Sequence, residues 1–247
     1  MKADRDKVDR LSIRTRPPGL PLMQHHWGKL LFMHWPVPVK LLRPLIPERL
    51  TIDTFDGEAW IGVTPFTLWG VRLSFTPPVP VLSEFDELNV RTYVHLDGVP
   101  GVWFLSLDTN SSATVWGART FFHLPYFNAS IELEQEEETI YYDLSRTDAG
   151  GPPAEFNASW SVGDNLREAE AGSLEFFLVE RYCLYSARGE NLYRSRIHHR
   201  PWPLQDADLE SYSSTMIESH GLPTPEGDPL LHYAEALEVD IWPLEEV

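Results

Sequence analysis

The chain has 247 residues, 43% of them hydrophobic, which suits one large β domain with a sizeable core. Its formal charge is −17, with 37 acidic residues against 20 basic and no run of Lys and Arg, so nucleic acid and polyanionic membrane surfaces are excluded as partners. The single cysteine, Cys183, cannot form an intramolecular disulfide, the charged segment Met1–Arg16 lacks an apolar core, and no stretch nears the ~20 apolar residues of a membrane span, so a cytoplasmic location is expected.

In chain order, residues 1–22 read as an irregular arm rich in proline, and residues 23–247 as a single domain. Lys29–Trp35 predicts a strand broken by Pro36 and Pro38, and Lys40–Leu45 a short helix stopped by Pro47. The turn Asp56-Gly57 precedes a strand over Ala59–Phe66, and Pro77–Pro80 is a loop. Leu88–Leu96 and Val102–Leu107 form a hairpin around Asp97-Gly98. Ser111 caps a short helix over Ala113–Arg119. Ile131–Glu137 and Thr139–Ser145 make a second hairpin, followed by a strand at Phe156–Val162 and a helix at Ser173–Glu180. Arg181–Ala187 and Asn191–His198 make a third hairpin, and Leu231–Trp242 closes the chain as a strand. Many strands joined by short turns predict a mainly β (α+β) fold: antiparallel sheets in a β-barrel-like arrangement with small peripheral helices.

The strand ending at Leu96 carries the most information. Side chains alternate across a strand, so Leu88, Val90, Thr92 and Val94 take one face while Glu87, Asn89, Arg91 and Tyr93 take the other. The hairpin register adds Trp103, Leu105 and Leu107 to the apolar face, and Phe104, Ser106 and Asp108 to the polar one. A polar face of an antiparallel sheet meets either water or a ligand. Mixed charged, amide and aromatic groups at two-residue spacing suit a small polar ligand, which makes Asn89, Arg91, Tyr93 and Phe104 candidate binding residues.

The runs Glu87-Leu88-Asn89-Val90-Arg91-Thr92-Tyr93 and Pro100-Gly101-Val102-Trp103-Phe104-Leu105-Ser106-Leu107-Asp108 resemble the uncharacterised YqjF-like family. So do His34-Trp35-Pro36-Val37-Pro38, Phe55-Asp56-Gly57-Glu58-Ala59-Trp60, Glu180-Arg181-Tyr182 and Pro201-Trp202-Pro203-Leu204, in the same order. The resemblance spans roughly residues 26–243. It implies an acetoacetate decarboxylase-like fold. In those decarboxylases a lysine, activated by a second lysine beside it, forms an imine with the substrate ketone. The matching segment here is Gly117-Ala118-Arg119, then Phe122-His123-Leu124-Pro125-Tyr126-Phe127, with Tyr126 and Phe127 where the lysines would stand. The chain has four lysines, Lys2, Lys7, Lys29 and Lys40, none beside another. Schiff-base decarboxylation is therefore not expected. The resemblance implies that Glu87 matches the family's active-site glutamate and that Tyr126 replaces the nucleophile with a phenol.

Arg119 follows a short helix and precedes an aromatic cluster; it either pairs with a structural carboxylate or clamps a ligand carboxylate. The pairs His25-His26 and His198-His199 put neighbours on opposite faces of a strand, and no His-Glu-x-x-His or paired-Cys pattern occurs, so no metal and no cofactor are expected. Three functional readings follow. The first is a small-molecule-binding barrel for an organic acid or ketone, lined by Glu87, Arg91, Arg119 and Tyr126. The second is a lyase, hydratase or isomerase using Glu87 as base and Tyr126 as acid. The third is a non-catalytic interaction or sensor protein that self-associates as a homo-oligomer through aromatic surfaces.

Overall fold

The computed structural model describes residues 8–76 and 84–247. The predicted loop at Pro77–Pro80 lies outside them. The strands are β1 (Met23–Val37), β2 (Thr51–Ile52), β3 (Ala59–Leu73), β4 (Glu84–Leu96), β5 (Val99–Thr109), β6 (Tyr126–Glu136), β7 (Thr139–Arg146), β8 (Glu155–Asn165), β9 (Cys183–Arg188), β10 (Asn191–His198), β11 (Leu204–Ser214), β12 (Leu230–Ile241) and β13 (Glu245–Glu246). Three short helices interrupt them: α1 (Val39–Leu42), α2 (Ser112–Gly117) and α3 (Leu174–Val179). No helix among the described residues is long and apolar enough to cross a membrane.

All strands join one 13-stranded sheet in the order β13-β10-β9-β5-β6-β7-β8-β11-β12-β1-β3-β4-β2, with β4 also paired to β5 and β10 to β12. The sheet is mixed rather than antiparallel throughout, because β5 runs parallel to both β6 and β9. The cause lies in the connections. A helical crossover, not a turn, links β5 to β6, and a crossover permits parallel pairing.

Several elements extend past their sequence signals. Strand β1 runs through Pro36, which sits near its end opposite Trp60, a place where a missing N–H costs little. Lys29 does not start this strand. It lies within β1 at φ 47°, where the β1–β3 register shifts between Gly28 and Met33. Strand β11 was not expected at all: its sequence, Leu204–Ser214, is dominated by Asp, Glu and Ser, yet it pairs with β8 and β12.

Two cores flank β4. Leu88, Val90 and Val94 pack with Leu31, Met33, Ile61 and Trp160 on one side. Tyr93 packs with Leu30, Phe32, Phe66, Leu107 and Tyr126 on the other. The polar face of β4 therefore meets a second core and not water. Opposite it, the β4–β5 register slips between Val90↔Ser106 and Arg91↔Phe104, leaving Leu105 as a bulge. The bulge corrects the expected faces. Phe104 stays with Arg91, but Leu107 joins Asn89, while Ser106 and Asp108 turn to the side of Leu88 and Val90. There Asp108 accepts two bonds from Arg146, at 2.5 Å from Nε and 2.8 Å from an Nη, in a fully buried ion pair.

Residues 8–22 hold one short 3₁₀ turn, Ser12–Arg14, and are tied down by arginines. Arg10 pairs with buried Asp53, which also accepts from Arg181 at 2.8 Å, and Arg16 meets Asp240 at 2.8 Å. Glu180 and Arg181 are not paired with each other. Glu180 accepts from the Tyr182 hydroxyl and from the Trp202 backbone N–H at 3.0 Å.

Candidate functional site

The second core encloses a cavity of about 260 Å³. Its walls come from β1, β3, β4, β5 and the segment after β5, with Leu184, Ile197 and Ile241 added from β9, β10 and β12, and most of the lining is apolar. The antiparallel ladder between β3 and β4 sets its levels. Leu68 lies opposite Phe85, Phe66 opposite Glu87, Thr64 opposite Asn89 and Gly62 opposite Arg91. Glycine at the last level leaves room beside the arginine stem: a Cβ on Gly62 would sit 3.5 Å from Arg91 Cγ and tight against His34. Beyond Arg91 the interior is closed by Phe32, His34 and Tyr93, all with no exposed surface. At the opposite end the lining residues Met23 and Val71 are half-buried and Phe121 is 62% exposed, which marks the mouth.

The crossover after β5 forms one wall. Ser111 caps α2 by accepting from the Thr114 N–H at 3.4 Å. The helix then widens into a π-helix over Ala118–Phe122, a rare form that often lies at functional sites. His123, at φ 54°, ends it in the left-handed region, and the chain turns into β6 with Tyr126 facing the cavity.

Glu87 is 2% exposed, and Tyr126 donates a hydrogen bond to its Oε2 at 2.8 Å. Burial pushes the Glu87 carboxyl up to about 8; the Tyr126 bond pulls the other way, and Asp108 behind the strand adds to the rise. Glu87 is thus mostly protonated at neutral pH. Tyr126 is pushed well above its ordinary range by burial and by Glu87, so it stays a phenol.

Asn89 and Arg91 lie deeper. Asn89 Oδ1, Thr64 Oγ1 and Arg91 Nε are buried without a hydrogen-bond partner. The Arg91 guanidinium lies over the Phe32 ring at 5.1 Å and makes no salt bridge among the described residues. It is hydrogen-bonded to Tyr93 but faces no carboxylate among the described residues, and a buried cation without a counter-charge costs several kcal/mol. His25 also lines the wall; burial holds its imidazole near 4, neutral, with Trp27 Nε1 donating to its Nδ1 at 3.4 Å.

The cavity therefore gathers Glu87, Asn89, Arg91, Phe104 and Tyr126. Two expected residues fall elsewhere. Tyr93 is outside the lining but touches it from below, its hydroxyl 2.6 Å from His34 Nε2 and hydrogen-bonded to Arg91, its ring under Arg181. Arg119 is outside the lining, because its Nε donates to the Tyr126 carbonyl at 2.7 Å and its Nη2 to Asp148 at 2.7 Å. Both bonds hold the start of β6. Thr64 and His25 carried no motif; only the pairing of Thr64 with Asn89 across the ladder would have pointed to it. None of the described lysines lines the cavity, and no three His, Cys, Asp or Glu among the described residues cluster as metal ligands.

Residues 24–238 match the profile of the DUF2071 family, described as an uncharacterized conserved protein. The uncharacterized protein YqjF of Bacillus subtilis is 44% identical over 228 residues, covering 92% of this chain and 93% of its own length. Among solved structures, the enduracididine biosynthesis enzyme MppR complexed with pyruvate aligns with a TM-score of 0.65 at 13% identity, over 93% of this chain and 91% of that one. An acetoacetate decarboxylase-like enzyme from Sphingomonas wittichii RW1 aligns with a TM-score of 0.61 at 13% identity, over 92% and 93%. At such identities the likeness to both structures is one of fold.

Proposed function

The chain belongs to the DUF2071 family, and from the arginine that lies inside its cavity without a counter-charge we propose that it binds a small organic carboxylate without forming an imine. Arg91 carries this reading. A guanidinium presents paired donors that match a carboxylate, and the Asn89 amide and Thr64 hydroxyl beside it add polar contacts. Glu87, kept neutral by burial, adds no negative charge that would repel such an anion. MppR, which shares the fold, was solved with the carboxylate pyruvate, and that agrees with this reading. Among the described residues no lysine lines the wall, so none of them offers an amine to a ketone there.

A second reading adds chemistry to binding. A protonated carboxyl hydrogen-bonded to a phenol, in a mostly apolar cavity, is a proton donor at neutral pH. Glu87 then acts as acid toward a carbonyl oxygen or carbanion of the bound acid, with Tyr126 holding the carboxyl in place. This reverses the roles of base and acid that the residue types alone suggest. Crystals soaked in a panel of small carboxylic acids and ketones test the binding reading. Density with its carboxylate on Arg91 and Asn89 is expected. A panel that leaves the cavity empty, or ligands bound only at the surface, would overturn it.

A further inference from the structure

Resting on the carboxylate reading above, we infer that the ligand is a monocarboxylate with an extended apolar tail, anchored at Arg91 and directed toward the mouth past Glu87. The ladder orders the lining along one axis. Arg91 stands at the closed end, Asn89 and Thr64 one level out, and Glu87 with Tyr126 at the next. Leu68 and Phe85 follow, then the mouth at Val71 and Phe121. Strands advance about 3.3 Å per residue, so the level of Arg91 lies roughly 13 Å along β4 from that of Glu87 and roughly 20 Å from that of Phe85. An acid of three or four carbons held at Arg91 would fill only the inner part and leave the apolar outer part wet.

Charge limits the other end of the ligand. Arg91 is the one Lys or Arg among the described lining residues. The outer levels offer Phe66, Leu68, Phe85, Phe121 and Phe122, together with a neutral imidazole at His25. A second carboxylate would be buried there with no cation, whereas an alkyl or aryl chain gains by leaving water.

Titration calorimetry of the full chain at pH 7 with n-alkanoates from acetate to hexadecanoate, their α,ω-dicarboxylate counterparts and the matching n-alkanols tests this. Each added methylene should tighten alkanoate binding about fourfold, the equivalent of 0.8 kcal/mol per buried CH₂, until the chain reaches the mouth. The dicarboxylates should bind at least about a hundredfold more weakly than alkanoates of equal length. Phe121→Ala, at an exposed position that folding tolerates, should weaken only the longest acids and leave short ones unchanged. Affinity flat with length, with short acids still lost in Arg91→Gln, would overturn the tail and leave the carboxylate reading standing. Alkanols binding as tightly as alkanoates, unaffected by Arg91→Gln, would overturn the carboxylate reading and the monocarboxylate assignment with it.

Discussion

Replacing Glu87 by Gln keeps the shape of the side chain and removes its titration. In the folded protein the Glu87 carboxyl is held up at about 8; in the unfolded chain it titrates at its ordinary 4.5. A raised carboxyl means the native state binds the proton more tightly. Its contribution to stability is fully present below pH 4.5 and is lost as the pH rises through 8. Over that window the wild type loses about 1.4 kcal/mol per pH unit from this one group. Glu87→Gln loses none, so the difference between the two proteins moves in favour of the variant by about 3 kcal/mol from pH 4.5 to 7, and by about 4 kcal/mol by pH 8.5. All other titrating groups are shared and cancel in the difference. For a chain of this length, the pH 7 figure corresponds to a gain of about 6–12 °C in Tm over its value at pH 4.5. Urea unfolding at a series of pH values from 4.5 to 8.5, on both proteins, reads it directly. Parallel stability curves would mean that Glu87 is ionised in the fold and is no proton donor at neutral pH.

Other perturbations reach the same architecture. Arg146→Met strips the partner from the fully buried Asp108 and should cost about 3–5 kcal/mol in urea unfolding, most of it regained when Asp108 is changed to Leu as well. Tyr126→Phe removes the hydrogen bond that favours Glu87 ionisation, so the Glu87 carboxyl, followed by its infrared C=O stretch, should titrate above 8; a midpoint that stays or falls would contradict the assigned contact. Arg10→Ala leaves Asp53 with Arg181 alone and should destabilise by about 1–3 kcal/mol, a loss that persists in high salt because the carboxylate is buried; a change within error would mean that the segment carrying Arg10 does not dock.

The polar face of β4 was legible because strand geometry is local: a period of two places Glu87, Asn89 and Arg91 together whatever the rest of the chain does. The bulge at Leu105 was not. One extra residue in β5 flips everything beyond it, which is how Ser106 and Asp108 came to lie behind the sheet with Arg146. Parallel pairing of β5 with β6 and β9 is set by crossovers, and periodicity carries no trace of it. β11 was illegible for a different reason. Asp, Glu and Ser disfavour strands, and the apolar support comes from separate places: Leu204 in the second core, half-buried Ala207 and Leu209 on the first, and Tyr212 against Trp35 and Phe156. In the site, a charged or amide residue on a patterned strand announced itself, while Thr64 and His25 became site residues only through their neighbours. Arg119 shows the converse. Its residue type suited a clamp, but Asp148, distant in sequence, had already claimed it.

Calorimetric titration of wild type and Arg91→Gln with butanoate at pH 7 tests most directly whether Arg91 anchors an anion. One site per chain is predicted in the wild type, weakened by about 3 kcal/mol, or roughly a hundredfold, in the variant, with the variant no less stable in the absence of ligand. Equal affinity in the two proteins, or a variant that unfolds more readily on its own, would show that Arg91 serves the fold and that the cavity is not an anion site.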